Sequence, residues 1–230
     1  MGKSTQMNVV YSLTRNYYHK LKPSLTSLRK YNPDVNVFVL AEDDEIGFDV
    51  TVINVSGQEY FPRAGVNYYN AFTYINLLKV CYPSILPWLN KVIHLDVDTI
   101  ICGNLDEMWK TRMAGKWVAA VPEYKGVYKP FGEKYYNMGV AVINLAQMRK
   151  DKIQPVMVEY LNTVPQPYAD QDAWNKYGLE QNKFVDLDIK YNESFCCGKT
   201  EEPVIVHYCG ASRWYEDPVT ERYEYIKPYM

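Results

Sequence analysis

Lys91-Val92-Ile93-His94-Leu95-Asp96-Val97-Asp98-Thr99-Ile100-Ile101-Cys102 is an apolar run broken by two carboxylates. Residues 91–95 read as a buried strand, so Asp96 and Asp98 fall at its C-terminal end with apolar residues on both sides. Two carboxylates in such a place repel each other unless a cation or a proton comes between them. A bound divalent metal removes that cost. In an α/β sheet the crevice beyond the carboxyl ends of the strands is also where ligands bind. Asp96 and Asp98 are therefore candidate metal ligands, and the sheet is expected to continue through residues 99–102.

Two further Asp-x-Asp triplets read differently. With 13 aspartates in 230 residues, about one such triplet is expected by chance, so context decides. Asp186 and Asp188 alternate with Val185, Leu187 and Ile189, the pattern of the wet face of a half-buried strand. Asp170-Gln171-Asp172 follows Pro165 and Pro167, which makes Asp170 a candidate helix N-cap with Asp172 favoured by the helix dipole. His207 ends the apolar run Val204-Ile205-Val206 and is followed by Gly210-Ala211-Ser212-Arg213. A glycine followed closely by a cation suits the approach of a phosphate, which makes His207, Gly210 and Arg213 candidates for the same site.

Outward from this centre, strands are expected at residues 7–13, 35–41, 50–55, 117–121 and 138–145, and helices at 16–31, 66–82 and 153–164, with a short one near 105–109. Strands alternating with helices predict a mainly parallel sheet of the α/β class. Twenty-five basic against 27 acidic residues give a net charge of −2, which disfavours a nucleic-acid or anionic-membrane partner. Twenty-two tyrosines suit half-wet surfaces and hint at polar ligands. No run of 18 apolar residues occurs and the first residues lack a signal-peptide core, so a soluble, cytoplasmic protein without a transmembrane segment is expected. Five cysteines without a C-x-x-C pair are read as free thiols.

Taken in order, these segments resemble glycosyltransferase family 8. His94-Leu95-Asp96-Val97-Asp98-Thr99 is similar to the family's metal motif, and Gly103 to Trp109 to the segment after it. Tyr136-Asn137-Met138-Gly139-Val140, Asp170-Gln171-Asp172-Ala173-Trp174-Asn175, Tyr191-Asn192 and the stretch from Val204 to Trp214 resemble its later blocks. Two departures stand out. Thr14 replaces an acid ahead of Asn16-Tyr17, and Arg213 replaces the usual lysine.

The resemblance implies a single A-type glycosyltransferase domain over residues 1–230, a Rossmann-like mixed sheet flanked by helices. Residues 7–121 would form its nucleotide half, 122–215 its sugar and acceptor half, and 216–230 a C-terminal extension. It implies a UDP-hexose donor, Mn²⁺ or another divalent cation held by Asp96, Asp98 and His207, and a glycan or other hydroxyl acceptor. Asn16, Tyr17, Lys79, Asp96, Gly210 and Arg213 would meet the nucleotide sugar, while Asn137, Asp170, Gln171 and Asp172 would line the sugar pocket. The α-configuration of the donor would be retained, by front-face attack or through a covalent intermediate on a side chain such as Asp172. Two alternatives are a catalytically inactive nucleotide-sugar-binding protein and a haloacid dehalogenase-like phosphatase.

Overall fold

A computed structural model describes residues 6–70, 72–124, 130–210 and 222–230. Its strands are β1 (Asn8–Ser12), β2 (Asn36–Ala41), β3 (Thr51–Asn54), β4 (Val92–Leu95), β5 (Thr99–Ile101), β6 (Val118–Pro122), β7 (Tyr136–Ile143), β8 (Phe184–Asp186) and β9 (Ile205–His207). The helices are α1 (Leu21–Tyr31), α2 (Tyr74–Leu77), α3 (Tyr82–Ile85), α4 (Asp106–Trp109), α5 (Leu145–Asp151), α6 (Ile153–Thr163), α7 (Asp170–Glu180) and α8 (Tyr223–Ile226). Seven strands form one sheet in the order β3-β2-β1-β4-β7-β6-β8. Only β7 runs against its neighbours, so the sheet is mixed and mainly parallel, as its sequence predicts.

The central strands are mostly apolar because helices cover both faces, and every residue of β4 and β7 is buried, His94 and Asn137 among them. Side chains alternate between the two layers. Val9 and Tyr11 of β1 pack with Leu21, Leu25 and Leu28 of α1, whereas Val10 joins the opposite core beside Leu78, Tyr82 and Trp174. Since β1, β2, β3, β4, β6 and β8 are all parallel, their C-terminal ends open on one edge of the sheet, and the N-terminal end of antiparallel β7 lies at that same edge.

The sheet does not continue past the acidic pair. The chain turns at Val97 and Asp98, and β5 leaves to pair antiparallel with β9, Thr99 facing His207. Small polar residues on α1 receive it. Ser24 Oγ lies 3.1 Å from Thr99 Oγ1, and Ser27 Oγ accepts the Ile101 N–H at 3.0 Å. This separate two-stranded ladder delivers His207 to the acidic turn.

Three further expectations change. Residues 66–82 are not one helix: Asn67 donates to Leu161 O and Val164 O and accepts from Gln166 N, and Asn70 accepts from Phe72 N. These side chains compete with the helical ladder, and α2 starts only after Thr73 at φ 66. Residues 16–31 begin as a 3-10 helix, Arg15–Lys20, and become α-helical at Leu21. The predicted strand at 138–145 ends at Ile143, because Asn144 Oδ1 accepts Gln147 N–H at 3.0 Å and caps α5.

Gly178 lets α7 approach β8 closely, since a Cβ there would lie 2.4 Å from Phe184 Cε2. The Phe184 ring is stacked on Tyr136 at 4.0 Å between centroids and has little freedom to move away. Gly178→Ala gains about 1 kcal/mol of helix propensity but overpacks this contact, so a net loss of about 1–2 kcal/mol is expected in urea unfolding. A more stable variant would contradict this account of how α7 is seated.

Candidate active site

Where β4 ends, Asp96 N–H donates to Gly139 O of β7 at 2.7 Å, and this bond fixes the start of the acidic turn. Ser12 hydrogen-bonds Tyr82 OH at 2.8 Å, Tyr82 OH reaches His94 Nδ1 at 2.9 Å, and His94 Nε2 reaches Asp96 Oδ1 at 2.9 Å. Burial pushes His94 down to about 4, so its ring is neutral and its Nε2–H donates to the carboxylate. Lys79, in the 3-10 turn Leu78–Cys81, places Nζ 3.4 Å from both Asp96 Oδ1 and Asp170 Oδ2. Burial opposes the charge on Asp96, yet Lys79, His94 and His207 hold its carboxyl far below the usual carboxylate range.

Asp96 Oδ2 is left facing His207 Nε2 at 3.9 Å, and Asp98 Oδ1 lies 3.3 Å from the same nitrogen. One ligand atom from each of the three residues falls within 4.8 Å of the others. His207 Nδ1 lies 3.0 Å from Asn192 Oδ1, an acceptor, so Nδ1 carries hydrogen and Nε2 is the atom presented to the carboxylates. Burial would lower the His207 pKa, but Asp98, Cys209 and Asp96 outweigh it and raise it to about 9. Without a metal, a proton on Nε2 separates the two carboxylates.

The donor set, two carboxylates and an imidazole nitrogen, suits a divalent cation of the Mn²⁺ kind. Gly139 makes room for it. A Cβ at that position would come within 2.2 Å of His207 Cε1 and 2.7 Å of Asp96 Oδ2.

A cavity of about 250 Å³ opens beside this cluster. Among the described residues its walls carry four carboxyl groups, Asp96, Asp98, Glu123 and Asp170, and two basic side chains, Lys79 and His207. Such a cleft repels an anionic ligand until a cation is added. Asp170 is pushed up to about 7, by burial first and by nearby Asp96, against the pull of Lys79. Glu123 is also raised, chiefly by burial, and its Oε1 accepts from Asn137 Nδ2 at 3.0 Å and Gln171 Nε2 at 3.2 Å. Asn137 Oδ1 accepts from Gly139 N and Asn192 Nδ2, and Gln171 Oε1 accepts from Met138 N. These bonds tie β7, α7 and the turn at Asn192 into one wall.

Of the residues expected at the site, Tyr17, Lys79, Asp96, Asp98, Asn137, Asp170, Gln171, His207 and Gly210 line the cavity. Asp170 is not the helix N-cap. That position is held by Ala169 at φ 52, and the Asp170 carboxylate turns to Lys79 instead. Asp172 does not reach the cavity: it is fully buried, with Tyr135 OH donating to one oxygen at 2.7 Å and Tyr168 N–H to the other at 2.8 Å. Asn16 is exposed on the 3-10 turn and does not line the cavity, while Thr14 does. Arg213 lies outside the described residues. Away from the cavity, Asp188 caps a turn by accepting from Lys190 N, and Asp186 pairs with Lys134 at the end of β8. Glu123 also lines the cavity and is not among the expected residues, although an acid directly after the apolar strand β6 repeats the signal that marks Asp96 after β4.

Two variants test the cradle. Gly139→Ala is expected to abolish Mn²⁺ binding by steric overlap, and Asn192→Ala to weaken it about 10- to 100-fold by releasing the His207 ring. Mn²⁺ electron paramagnetic resonance titration reads both, with circular dichroism to confirm the fold. Wild-type affinity in both would exclude Asp96, Asp98 and His207 as the binding group.

No helix among the described residues is long and apolar enough to cross a membrane. A putative glycosyltransferase of Haemophilus influenzae is 25% identical over 251 residues, covering 92% of this chain and 74% of that protein. The lipopolysaccharide 1,2-glucosyltransferase of Escherichia coli is 21% identical, covering 99% and 78%. Glycosyltransferase GlyA of Streptococcus pneumoniae is 28% identical over 151 residues, and the match spans only 21% of its length. Among solved structures, the galactosyltransferase LgtC in complex with donor and acceptor sugar analogs superposes with a TM-score of 0.73 at 20% identity, covering 96% of this chain and 94% of that one. GlyE of Streptococcus pneumoniae gives 0.75 at 19% identity, covering 98% and 60%. At these identities the likeness is one of fold, the A-type glycosyltransferase fold. The profile of glycosyl transferase family 8 matches residues 8–216, from β1 to beyond β9, and the chain belongs to that family.

Proposed function

We propose that this glycosyltransferase moves a hexose from a UDP-sugar to a hydroxyl of a saccharide or other acceptor, requires a divalent cation, and retains the α-configuration of the donor. The observation that carries the reading is the meeting of Asp96, Asp98 and His207 over Gly139, in an acid-lined cleft that a nucleotide diphosphate could enter only with a cation. Asp96 Oδ2, Asp98 Oδ1 and His207 Nε2 would hold that cation. When bound, it supplies positive charge against the negative charge that grows on the departing diphosphate.

The remaining residues orient the reacting sugar. Lys79 keeps Asp96 and Asp170 in fixed positions, and burial of Lys79 and Asp170 limits rearrangement during the reaction. Asp170, raised to about 7, can accept or donate a hydrogen bond to a sugar hydroxyl near neutral pH. Gln171 has one N–H spent on Glu123 and a second to offer toward C1 or the acceptor. Tyr17 lies at the β1 end of the cavity, where it would flank the uracil. Gly210, at φ 67, adopts a backbone that a side chain would strain and would lie against a phosphate.

The geometry favours front-face attack over a covalent intermediate on Asp172, whose two oxygens are both engaged away from the cavity. In that route the departing diphosphate oxygen takes the acceptor proton. Glu123 supports a second reading, because a carboxylate on the cavity wall could serve as the base of an inverting reaction. Family membership removes the phosphatase alternative.

The test is incubation with a panel of UDP-sugars and Mn²⁺, read by UDP release and by proton NMR of the fresh product. The wild type is expected to form an α-linked product with a small H1–H2 coupling, and Asp96→Asn and Asp98→Asn to lose about 100-fold or more in turnover. A β-linked product would point to Glu123 and overturn retention. UDP binding without release from any sugar would establish the inactive binding protein instead.

A further inference from the structure

Of the five cysteines, all of them thiols, Cys196 and Cys209 place their sulfurs 3.5 Å apart, with the Cys209 S–H donating to Cys196. Both line the cavity that holds Asp96, Asp98 and His207, and nothing in the transfer reaction uses them. The remaining three are elsewhere: Cys81 and Cys197 are buried, and Cys102 lies beyond β5 with its S–H toward Ile100 O.

The two segments that carry the pair are held firmly. Cys196 sits in the loop 194–198, closed by Ser194 N to Gly198 O at 3.1 Å and Gly198 N to Ser194 O at 2.9 Å, and its carbonyl accepts Tyr124 N–H at 3.0 Å. Cys209 comes two residues after His207, on a strand end fixed by His207 N to Glu193 O and Tyr208 N to Asp98 O, both 2.8 Å. Each sulfur thus belongs to a different wall of the cleft. A bond between them needs a closing movement of about 1.5 Å, within reach of side-chain rotation and a small backbone shift.

We propose that Cys196 and Cys209 form a redox modification site, a dithiol that hydroperoxides close to a disulfide across the cleft and that thiols reopen. Cys196, the sulfur that accepts the Cys209 S–H, attacks as its thiolate the O–O bond of hydrogen peroxide, becoming a sulfenic acid and releasing hydroxide. The second sulfur then displaces water from that sulfenic acid and the S–S bond forms, so that two thiols are oxidised and one peroxide is reduced to two waters. Closure draws the chain after His207 toward the 194–198 loop, and His207 must keep Nε2 near Asp98 for the cation to bind. The oxidised form therefore has weaker cation affinity and lower turnover.

The test treats the full chain with equimolar hydrogen peroxide and digests it with trypsin without reduction. Cleavage after Lys190, Lys199 and Arg213 separates Cys196 from Cys209, so a disulfide joins peptides 191–199 and 200–213. That linked pair is expected in the wild type and in Cys197→Ala, and is expected to be absent from Cys196→Ala and Cys209→Ala. Wild-type Mn²⁺ affinity should fall several-fold on oxidation and return with dithiothreitol, while Cys196→Ala, compared with itself before and after peroxide, should not change. The mass and metal readouts stand apart from the transfer reaction; the loss of UDP release, restored by dithiothreitol, rests on the function proposed above. A link through Cys197, oxidation to sulfinic acid without a link, or a formed bridge that leaves Mn²⁺ affinity unchanged would each overturn the proposal.

Discussion

Mutual repulsion of carboxylates at the open edge of the sheet governs this site. Asp96, Asp98, Glu123 and Asp170 converge on one cleft, Asp98 and Asp170 buried and the other two half-buried, which makes the charges expensive to leave uncompensated. The fold answers with cations and donors brought from distant parts of the chain. Lys79 stands between Asp96 and Asp170, His94 donates to Asp96, His207 faces Asp96 and Asp98, and two amides share Glu123. Asp98, Cys209 and Asp96 raise the His207 pKa to about 9 against its burial, and burial first and Asp96 after it raise Asp170 to about 7. A divalent cation relieves the repulsion directly, which links the stability of the cluster to the ligand it is suited to receive.

Topology makes the convergence possible. The direction reversal at β7 brings an N-terminal strand end, with Asn137 and Gly139, to the same edge as the C-terminal ends of β1, β4 and β6. The departure of β5 to pair with β9 then carries His207 across to Asp98. Gly139 completes the arrangement by having no side chain where imidazole and carboxylate must meet. Asn192 holds the imidazole from behind and connects it through Asn137 to Glu123, so the Asp96-Asp98-His207 cluster and the cavity wall at Glu123 share one hydrogen-bond network.

Strands buried on both faces were legible because burial demands unbroken apolar runs, as in β1, β4 and the core of β7. The acidic turn after β4 was legible for the same reason, two charges standing out against that background. Residues 66–82 carry helical periodicity, but their fold depends on Asn67 reaching α6 and the residues after it, a contact periodicity does not encode. Asp172 shares its block with Asp170 and Gln171, but about half a helical turn separates it from Asp170 and aims it away from the cleft, where Tyr135 and Tyr168 claim it. Glu123 carries a readable signal, an acid at the end of an apolar strand, but its place on the cavity wall depends on the distant amides of Asn137 and Gln171. The β5–β9 pairing joins residues about a hundred positions apart and left only His207, at the end of an apolar run, as its trace.

The central claim is that His207 and the two aspartates hold the cation that holds the diphosphate. Pulsed electron paramagnetic resonance of Mn²⁺ bound to the protein with UDP tests it most directly, because it detects nuclei in the metal's immediate coordination sphere. The account predicts a nitrogen-14 coupling from one imidazole, lost in His207→Ala, together with phosphorus-31 couplings from the diphosphate. Phosphorus couplings without any imidazole nitrogen, or a nitrogen signal that survives removal of His207, would contradict it.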